Sequence, residues 1–245
     1  VEFKDVSLMY AGSSENTIEG LNLKVLKGQT IGVIGGTGSG KTSLINMIPR
    51  FYDAIKGEVL VNGTNVKEYT EEGLRNKIGI VPQKAVLFKG TIRSNLLWGN
   101  ESATENDLME ALKQAQSYDF VMQKENGIDS VVEQNGRNFS GGQRQRLTIA
   151  RALVRKPEIL ILDDSSSALD YTTDANLRKE IAKLKDMTVF IVSQRTASIM
   201  DADQIVVLDD GNIMGIGTHK ELLENCEVYK EIYESQFKKP EKEEM

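Results

Sequence analysis

One stretch organises the whole chain: Gly35-Gly36-Thr37-Gly38-Ser39-Gly40-Lys41-Thr42. It follows the apolar run Thr30 to Ile34, which has strand length, and precedes the helix-forming run Ser43 to Phe51. The glycines let consecutive backbone N–H groups turn inward around an anion, and the following helix presents its positive N-terminal end to the same anion. The pattern predicts a phosphate-binding loop, in which the lysine reaches the β- and γ-phosphates of a nucleotide and the threonine hydroxyl ligates Mg²⁺.

Composition excludes several classes of protein. With 245 residues and 40% apolar content, the chain can bury a sizeable core. A net charge of −6 and a pI near 5.1 give no electrostatic footprint for nucleic acid, so we expect no nucleic-acid partner. The single cysteine, Cys226, cannot form an internal disulfide. The apolar runs have strand length, and the chain begins without methionine on a strand-like pattern, so we expect a fragment of a longer protein.

The residues around the phosphate loop predict mostly strands. Short alternating patterns between Val1 and Lys27 indicate a small antiparallel sheet. Tyr10 stands just before a polar turn; taken alone it fits an ordinary edge-strand tyrosine, although its ring could also stack on a nucleotide base. Beyond the loop, Gly57 to Val61 and Lys77 to Val81 are strand-like. The second leads to Gln83 at its carboxyl end, the edge at which open α/β sheets bind ligands.

From Lys84 to Val154 the strands stop and helical periodicity predicts an inserted helical subdomain. It ends in Ser140-Gly141-Gly142-Gln143, a turn that opens a helix running to about Val154. Free N–H groups, a positive helix end and a serine hydroxyl make this turn a second candidate anion site. On these residues alone, an ordinary capped helix explains the pattern equally well.

The carboxyl half returns to alternating strands and helices. A buried strand, Ile159 to Leu162, delivers Asp163 and Asp164, where a phosphate-loop protein needs a carboxylate for magnesium. A turn containing Asp170 follows it. The remaining predicted elements are a helix at Thr173 to Lys183, a strand at Val189 to Val192 that leads to Gln194, a hairpin of Ile205 to Leu208 with Ile213 to Ile216, a helix at Lys220 to Glu234, and a loose tail from Phe237.

Five of these motifs occur in a single order: the phosphate loop, Gln83, Phe139 to Gln143, Ile159 to Asp163, and Ser167 to Asp170. In that order the chain resembles, over essentially its whole length, the nucleotide-binding domain of an ABC transporter. Three further segments are similar to the exporter branch of the family, namely Val81-Pro82-Gln83, Leu87 to Asn95 and Gly217 to Leu223.

The resemblance implies an α/β fold of the ABC ATPase type, with a RecA-like parallel-sheet core, an antiparallel β subdomain and an inserted helical subdomain. It implies one nucleotide-binding domain over residues 1–245. Residues 1–83 and 156–236 would form the β subdomain and the ATP-binding core, residues 84–155 the helical subdomain with the signature motif, and residues 237–245 a flexible tail.

The resemblance also implies cofactors, ATP and Mg²⁺, and a role for each site residue. Tyr10 would stack on the adenine, which reverses the reading from the residue alone. The phosphates would be bound by Gly36, Thr37, Gly38, Ser39, Gly40, Lys41, Thr42 and Ser43, with Gln83 nearby. Mg²⁺ would lie among Thr42, Gln83 and Asp163. The signature residues Ser140, Gly141, Gly142 and Gln143 would serve the nucleotide of a partner subunit, and Asp170 would belong to the D-loop.

Two residues depart from the family pattern at the chemistry itself. The family normally has a glutamate after the magnesium aspartate to polarise the attacking water, and here the residue is Asp164. It also has a histidine that contacts the γ-phosphate, where this chain has Gln194, and the only histidine, His219, lies well downstream. An amide donates hydrogen bonds but cannot become a cation. Both changes together predict a weakly hydrolytic, degenerate site.

The signature motif, by contrast, is intact, so we hypothesise a heterodimeric exporter whose partner is a second, non-identical ABC domain. The resemblance places a membrane domain on the same full-length chain, and this domain at the cytoplasmic face of the membrane. Membrane-domain contacts would lie around Gln83 and Glu133 to Arg137, where Gln134 and Asn135 replace the expected Glu and Arg. Three alternatives stay open: a regulatory nucleotide sensor, a homodimeric transporter ATPase with atypical catalytic residues, and a soluble ABC protein of DNA repair or translation.

Overall fold

The structure, a computed structural model, describes residues 1–237. Its strands are β1 (Glu2–Leu8), β2 (Ile18–Lys24), β3 (Thr30–Gly35), β4 (Lys56–Val61), β5 (Thr64–Asn65), β6 (Ile78–Val81), β7 (Gly90–Thr91), β8 (Val131–Val132), β9 (Ile159–Asp163), β10 (Thr188–Val192), β11 (Gln204–Asp209) and β12 (Asn212–Gly217). Its α-helices are α1 (Lys41–Met47), α2 (Glu71–Arg75), α3 (Ile92–Leu97), α4 (Glu105–Gln114), α5 (Tyr118–Met122), α6 (Gly141–Val154), α7 (Tyr171–Ile181), α8 (His219–Asn225) and α9 (Glu227–Phe237).

A six-stranded sheet forms the centre, in the order β12-β11-β3-β10-β9-β6. Its strands run parallel except β12, which pairs antiparallel with β11. The parallel strands are apolar on both faces because each face meets other elements. On β9, Leu160 and Leu162 enter one buried cluster, while Ile159 and Ile161 enter the other. The central sheet therefore separates two cores.

The register of the parallel strands brings their carboxyl ends to one edge of the sheet. Val192 at the end of β10 lies opposite Val33 of β3 and opposite Asp163 at the end of β9. On the other side of β9, Val81 lies opposite Leu162. The loops that leave β3, β6, β9 and β10 therefore meet at this edge, as expected for a ligand site in an open α/β sheet.

Two further layers cover the central sheet. An antiparallel sheet with strand order β2-β1-β4-β5 packs in one core with α1, through residues such as Phe3, Leu21 and Leu44. Helices α3, α4 and α6 share the other core, to which Leu96 and Leu112 contribute fully buried side chains. The predicted fold class, α/β with a parallel core, an antiparallel sheet and a helical insertion, is confirmed.

Several predicted boundaries differ from the structure. The region from Lys84 to Val154 is not free of strands, because β7 and β8 form a short antiparallel pair. The single helix predicted from Lys220 to Glu234 is two helices, separated by extended backbone at Cys226. Gly215 leaves room for Cys226 to pack closely against β12, a tertiary contact that no local turn residue signals. Of the tail predicted at 237–245, only Phe237 lies within the described residues, and it ends α9.

Among residues 1–237, no helix combines the length and the apolar character needed to cross a membrane.

Candidate functional site

The phosphate loop connects β3 to α1 and folds around the side chain of Lys41. The Lys41 Nζ donates hydrogen bonds to the carbonyl oxygens of Gly35 (2.9 Å) and Gly36 (2.5 Å) and lies 3.3 Å from the Ser39 Oγ. Burial lowers the pKa of Lys41, while the charges of Asp164 and Asp163 act in the opposite direction. The lysine is thus a buried cation held against the loop by neutral carbonyl groups.

The backbone conformation of the loop favours glycine at Gly38 and Gly40. Gly38 has φ +83° and Gly40 has φ +95°, which L side chains rarely adopt. Gly40 is the N-cap of α1 and, without a side chain, provides no hydrogen-bond acceptor to the first turn. A Cβ atom built on Gly36 or Gly38 would meet no atom within 4 Å, so this side of the loop is open. An open loop with free N–H groups at a helix start suits an anion.

Asp163, at the end of β9, lies beside Thr42 in the first turn of α1. The Thr42 Oγ1 donates to Asp163, with distances of 3.3 and 3.2 Å to its two oxygens. Burial raises the pKa of Asp163, the hydrogen bond from Thr42 lowers it, and the neighbouring charge of Asp164 raises it further. Asp163 is therefore a partly buried carboxylate whose pKa the nearby Lys41 charge also lowers, although burial outweighs these effects.

Asp164 continues the chain with φ +45°, an uncommon conformation for a residue other than glycine. Its backbone N–H donates to the Val192 carbonyl oxygen (2.9 Å), which ties the turn after β9 to the end of β10. Its carboxylate accepts a hydrogen bond from the Gln83 Nε2 (3.2 Å). The loops after β6, β9 and β10 are thereby held together at the Asp164 turn.

A cavity of about 140 Å³ opens between these loops. It brings together residues that the sequence predicted from four separate segments. The lining residues are Thr37, Gly38, Lys41, Thr42, Gln83, Asp163, Asp164, Val192, Ser193 and Gln194. The side chain of Gln194 is exposed, whereas the preceding Ser193 is fully buried. One cation and two adjacent carboxylates therefore share a small polar space beside an open anion-binding loop.

The oxygen atoms at this cavity fit a hard divalent cation. Thr42 Oγ1 and the Asp163 carboxylate are already neighbours, and Gln83 adds an amide oxygen if its side chain turns from Asp164. Mg²⁺ takes oxygen ligands and usually keeps several waters, so one carboxylate, one hydroxyl and nucleotide phosphates suffice. Within residues 1–237 no group of three or more His, Cys, Asp or Glu side chains is placed to hold a metal.

Tyr10 lies after the end of β1 and not within a strand, so the edge-strand reading does not describe its position. The Tyr10 Oη forms a hydrogen bond of 2.7 Å with the Ser43 Oγ in α1. Its ring meets Tyr52 edge-on, with centroids 4.9 Å apart and an interplanar angle of 83°. Tyr10 is thus fixed to the helix that starts at the phosphate loop, and we keep adenine stacking as a prediction.

The signature segment forms a capping box at the start of α6. Ser140 Oγ accepts from the Gln143 N–H (3.2 Å), and Gln143 Oε1 accepts from the Ser140 N–H (3.0 Å). Gly141 and Gly142 stand between them in the first turn of the helix. None of these four residues lines the cavity at the phosphate loop. The phosphate-loop residues, Gln83 and the two aspartates therefore share one cavity, whereas Gly141 of the signature segment lines a different cavity that also reaches Gln83.

Asp170 is the N-cap of α7 and accepts from Thr173 N (2.9 Å) and Thr173 Oγ1 (2.7 Å). The hydrogen bonds from Thr173 lower the pKa of Asp170. It does not line the cavity either. Its carboxylate thus accepts hydrogen bonds from a residue three positions away, whereas Asp163 accepts from Thr42, which is distant in sequence.

The structure adds two residues that sequence reasoning missed. Arg195 donates to the carbonyl oxygens of Ser166 (3.3 Å), Ser167 (3.3 Å) and Leu169 (3.2 Å), and so fixes the turn between β9 and α7. Because Arg195 directly follows the predicted site residue Gln194, the sequence could have indicated that it lies near the site. Gln236, on α9, bonds to the segment that starts at Gln194, and nothing in the sequence connects residues so far apart.

Comparisons with known proteins agree with this geometry. Residues 18–167 match the family model described as ABC transporter. YfiB of Bacillus subtilis, described as an uncharacterized ABC transporter ATP-binding protein, is 44% identical over 237 residues, which cover 97% of this chain and 41% of that protein. The putative multidrug export ATP-binding/permease protein YgaD of the same organism is 41% identical over 239 residues, covering 97% of this chain and 40% of that protein.

A solved structure, described as a bacterial Atm1-family ABC exporter with ATP bound, superposes with a TM-score of 0.93 at 33% sequence identity. The alignment covers 97% of this chain and 42% of that one. The chain thus spans about two fifths of the length of the relatives that it matches.

Proposed function

The chain belongs to the ABC transporter family, and from this premise we propose that it is the ATP-binding domain of an exporter subunit. It couples Mg-ATP binding and hydrolysis at a dimer interface to transport across a membrane. The observation that carries the proposal is the cavity in which Lys41, Asp163, Asp164 and Gln194 meet beside the open phosphate loop.

Each residue at the cavity has a role set by its chemistry. The loop N–H groups and the Lys41 ammonium bind the β- and γ-phosphates, because both donate to anionic oxygens. Thr42, Gln83 and Asp163 would hold Mg²⁺, which when bound neutralises charge on the phosphates. Asp164 orients the attacking water, and the Gln194 amide donates to the γ-phosphate. Tyr10 supports the adenine ring through stacking.

Hydrolysis at this site is slow, since both residues next to the water depart from the family pattern. The Asp164 carboxylate is one methylene shorter than a glutamate, and a displacement of about 1 Å can lower a rate about 100-fold. The Gln194 amide cannot carry a positive charge or shuttle a proton. ATP binding depends on other residues, so the site still binds Mg-ATP.

The signature segment Ser140 to Gln143 serves a different nucleotide, which is bound by the partner subunit. Its separation from the cavity of its own chain supports this assignment. Because the motif is intact while the chain's own site departs from the pattern, the partner is a non-identical ABC domain with the competent site. Asp170 lies in the D-loop of the same interface.

A membrane domain on the full-length chain completes the exporter, and this domain lies at its cytoplasmic face. A cavity of about 430 Å³ lined by Gln83, Asn135 and Arg137, among others, supports the predicted contact region. Close to this region, Phe88 and Trp98 stack with centroids 4.5 Å apart and are 42% and 64% exposed. Exposed aromatic rings of this kind mark surfaces that bind protein.

The test compares ATP binding and turnover by the 245-residue chain with those of the variant Asp164→Glu/Gln194→His, at concentrations high enough to force self-association. The parent should bind Mg-ATP with similar affinity but turn it over about 100-fold more slowly. The matched control is Asp186→Glu/Gln123→His, which makes the same chemical changes at exposed positions far from the cavity and should behave like the parent.

Each outcome decides a part of the proposal. A parent chain as fast as the double variant would overturn the degenerate site and favour a homodimeric transporter ATPase. A parent chain that fails to bind Mg-ATP would overturn the assignment of the cavity as a nucleotide site.

A further inference from the structure

The segment that carries Gln194 into the cavity is held from outside by one side chain of α9. Gln236 Nε2 donates to the Gln194 carbonyl oxygen (2.8 Å). Gln236 Oε1 accepts from Thr196 N (2.9 Å) and Thr196 Oγ1 (2.9 Å). A single amide thus uses its donor and its acceptor to fix both ends of a three-residue segment.

The side chain and the carbonyl oxygen of Gln194 therefore face different parts of the structure. Its side chain lines the cavity beside the phosphate loop, while its carbonyl oxygen points to α9. Ser193, which precedes Gln194, and Thr196, which ends the segment, are both 0% exposed. A shift of the Gln194 carbonyl is therefore transmitted to its side chain, because the flanking residues cannot move with it.

Helix α9 is itself anchored to the domain and not to the cavity. Tyr229 is fully buried, and its Oη lies 2.7 Å from the Nδ1 of His219 in α8. Gln236 is exposed on the last turn of α9, so its side chain is free to be changed without opening the core. The contact to Gln194 thus connects a fixed helix with the segment at the cavity.

We propose that Gln236 is a positioning residue that sets the distance of residue 194 from the γ-phosphate. The inference rests on the proposed function of Gln194. It predicts that a change at Gln236 lowers kcat while leaving the affinity for ATP unchanged, because the phosphate loop and Tyr10 bind the nucleotide independently of this segment.

Two substitutions separate the hydrogen bond to Gln194 from the two hydrogen bonds that Thr196 donates. Gln236→Ala removes both contacts. Gln236→Glu has the same size and keeps an acceptor for Thr196, but it places a carboxylate oxygen against the Gln194 carbonyl oxygen, where the amide donated. Ser235→Ala is the matched control on the same helix, since the Ser235 Oγ bonds back to the Ile232 carbonyl (2.7 Å).

The measurements are made in the Asp164→Glu/Gln194→His background, in which turnover is expected to be readable. The Gln236 contact is to the backbone of residue 194, so it survives the change of that side chain. We expect kcat to fall about fivefold with Gln236→Ala and with Gln236→Glu, at unchanged KM and ATP affinity. Hydrogen exchange at the Thr196 amide should accelerate with Gln236→Ala but not with Gln236→Glu.

The proposal is overturned if Gln236→Glu keeps kcat within twofold of the background, or if Ser235→Ala lowers it equally. Failure of the proposed function has a different signature, because the parent would then match the background before Gln236 is changed. If the parent turns over ATP as fast as the background, Gln236→Ala, Gln236→Glu and Ser235→Ala are compared in the parent, because its turnover is then measurable. A chain that hydrolyses no ATP in either form overturns both proposals.

Discussion

The phosphate-loop site and the signature segment are both short glycine-containing turns that open a helix, but their polar groups differ in how they are satisfied. At the phosphate loop, Lys41 is held by neutral carbonyl oxygens, and Asp163 and Asp164 stand side by side. At the signature segment, Ser140 and Gln143 satisfy each other through a capping box. The first region gains most from a charged ligand, whereas the second is already complete as a local structure.

The residues of these two regions can change independently within one chain. Under the proposed function, Asp164 and Gln194 stand where a glutamate and a histidine are expected, whereas Ser140 to Gln143 keep the expected residues. Under the proposed function the two regions serve different nucleotides, so a loss of hydrolysis in one leaves the other useful. Four further variants, two of them with matched controls, test the differences between the polar groups of these regions.

The largest effect is expected at the phosphate loop, from Lys41→Ala. The substitution removes a buried ammonium whose hydrogen bonds would pass to nucleotide phosphates, and such charged contacts are worth about 1.5–3 kcal/mol. ATP affinity should fall about 100-fold, as measured by titration with a fluorescent ATP analogue. Lys56→Ala, which removes an exposed lysine paired with Asp5 at 3.0 Å, should leave affinity unchanged. Affinity of Lys41→Ala within threefold of the parent would contradict the phosphate-loop assignment.

At the signature segment, Ser140→Ala should act in two separable ways. Loss of the N-cap lowers the free energy of unfolding by about 1 kcal/mol, measured by urea denaturation. In the self-associated Asp164→Glu/Gln194→His chain it should also lower turnover about tenfold, because under the proposed function the hydroxyl donates to the phosphate bound by the partner.

Thr104→Ala is the control for that experiment. Thr104 forms the same kind of capping box with Asp107 at the start of α4. Thr104→Ala should lower the free energy of unfolding by a similar amount and leave ATP turnover unchanged. Equal loss of turnover in both variants would mean that Ser140 acts through helix stability alone.

Much of this comparison could be predicted from sequence, because its determinants are local. The phosphate loop, the capping box at Ser140 and the strand before Asp163 each depend on residues within one turn or one strand. The family assignment and the fold class, both confirmed, follow from the order of these motifs. The division into residue ranges and the role of each site residue stay predictions.

The rest could not be predicted because it depends on contacts between distant segments. Gln236 bonds to Gln194 across 42 residues, with no periodicity or motif to connect them. The break at Cys226 is likewise decided by packing against β12 and not by a glycine or proline. The Tyr10–Ser43 hydrogen bond needs the antiparallel sheet to be placed beside α1. Sequence reasoning therefore located the site but not the contacts that support it.

The smallest effect is expected from two carboxylates, Asp163 at the phosphate-loop site and Asp170 at the start of α7, which lies outside both regions and serves as a comparison. Burial raises the pKa of Asp163, so its ionised form destabilises the ligand-free fold, and this cost grows as the pH rises through its folded pKa. Hydrogen bonds from Thr173 lower the pKa of Asp170, so its contribution is present above its unfolded pKa of 3.8 and is lost only in acid.

The two Asn variants should therefore respond to pH in different ways, measured by urea unfolding without nucleotide or Mg²⁺. Asp163→Asn should gain stability at pH 7.5, by about 0.5 kcal/mol, and gain less at pH 4.5, where the parent carboxyl is partly protonated. Asp170→Asn should lose a little stability by the same amount at both pH values, since asparagine still caps the helix and the parent carboxylate stays ionised. A gain for Asp163→Asn that is larger at pH 4.5 than at pH 7.5 would show that burial does not set the charge balance at the phosphate loop.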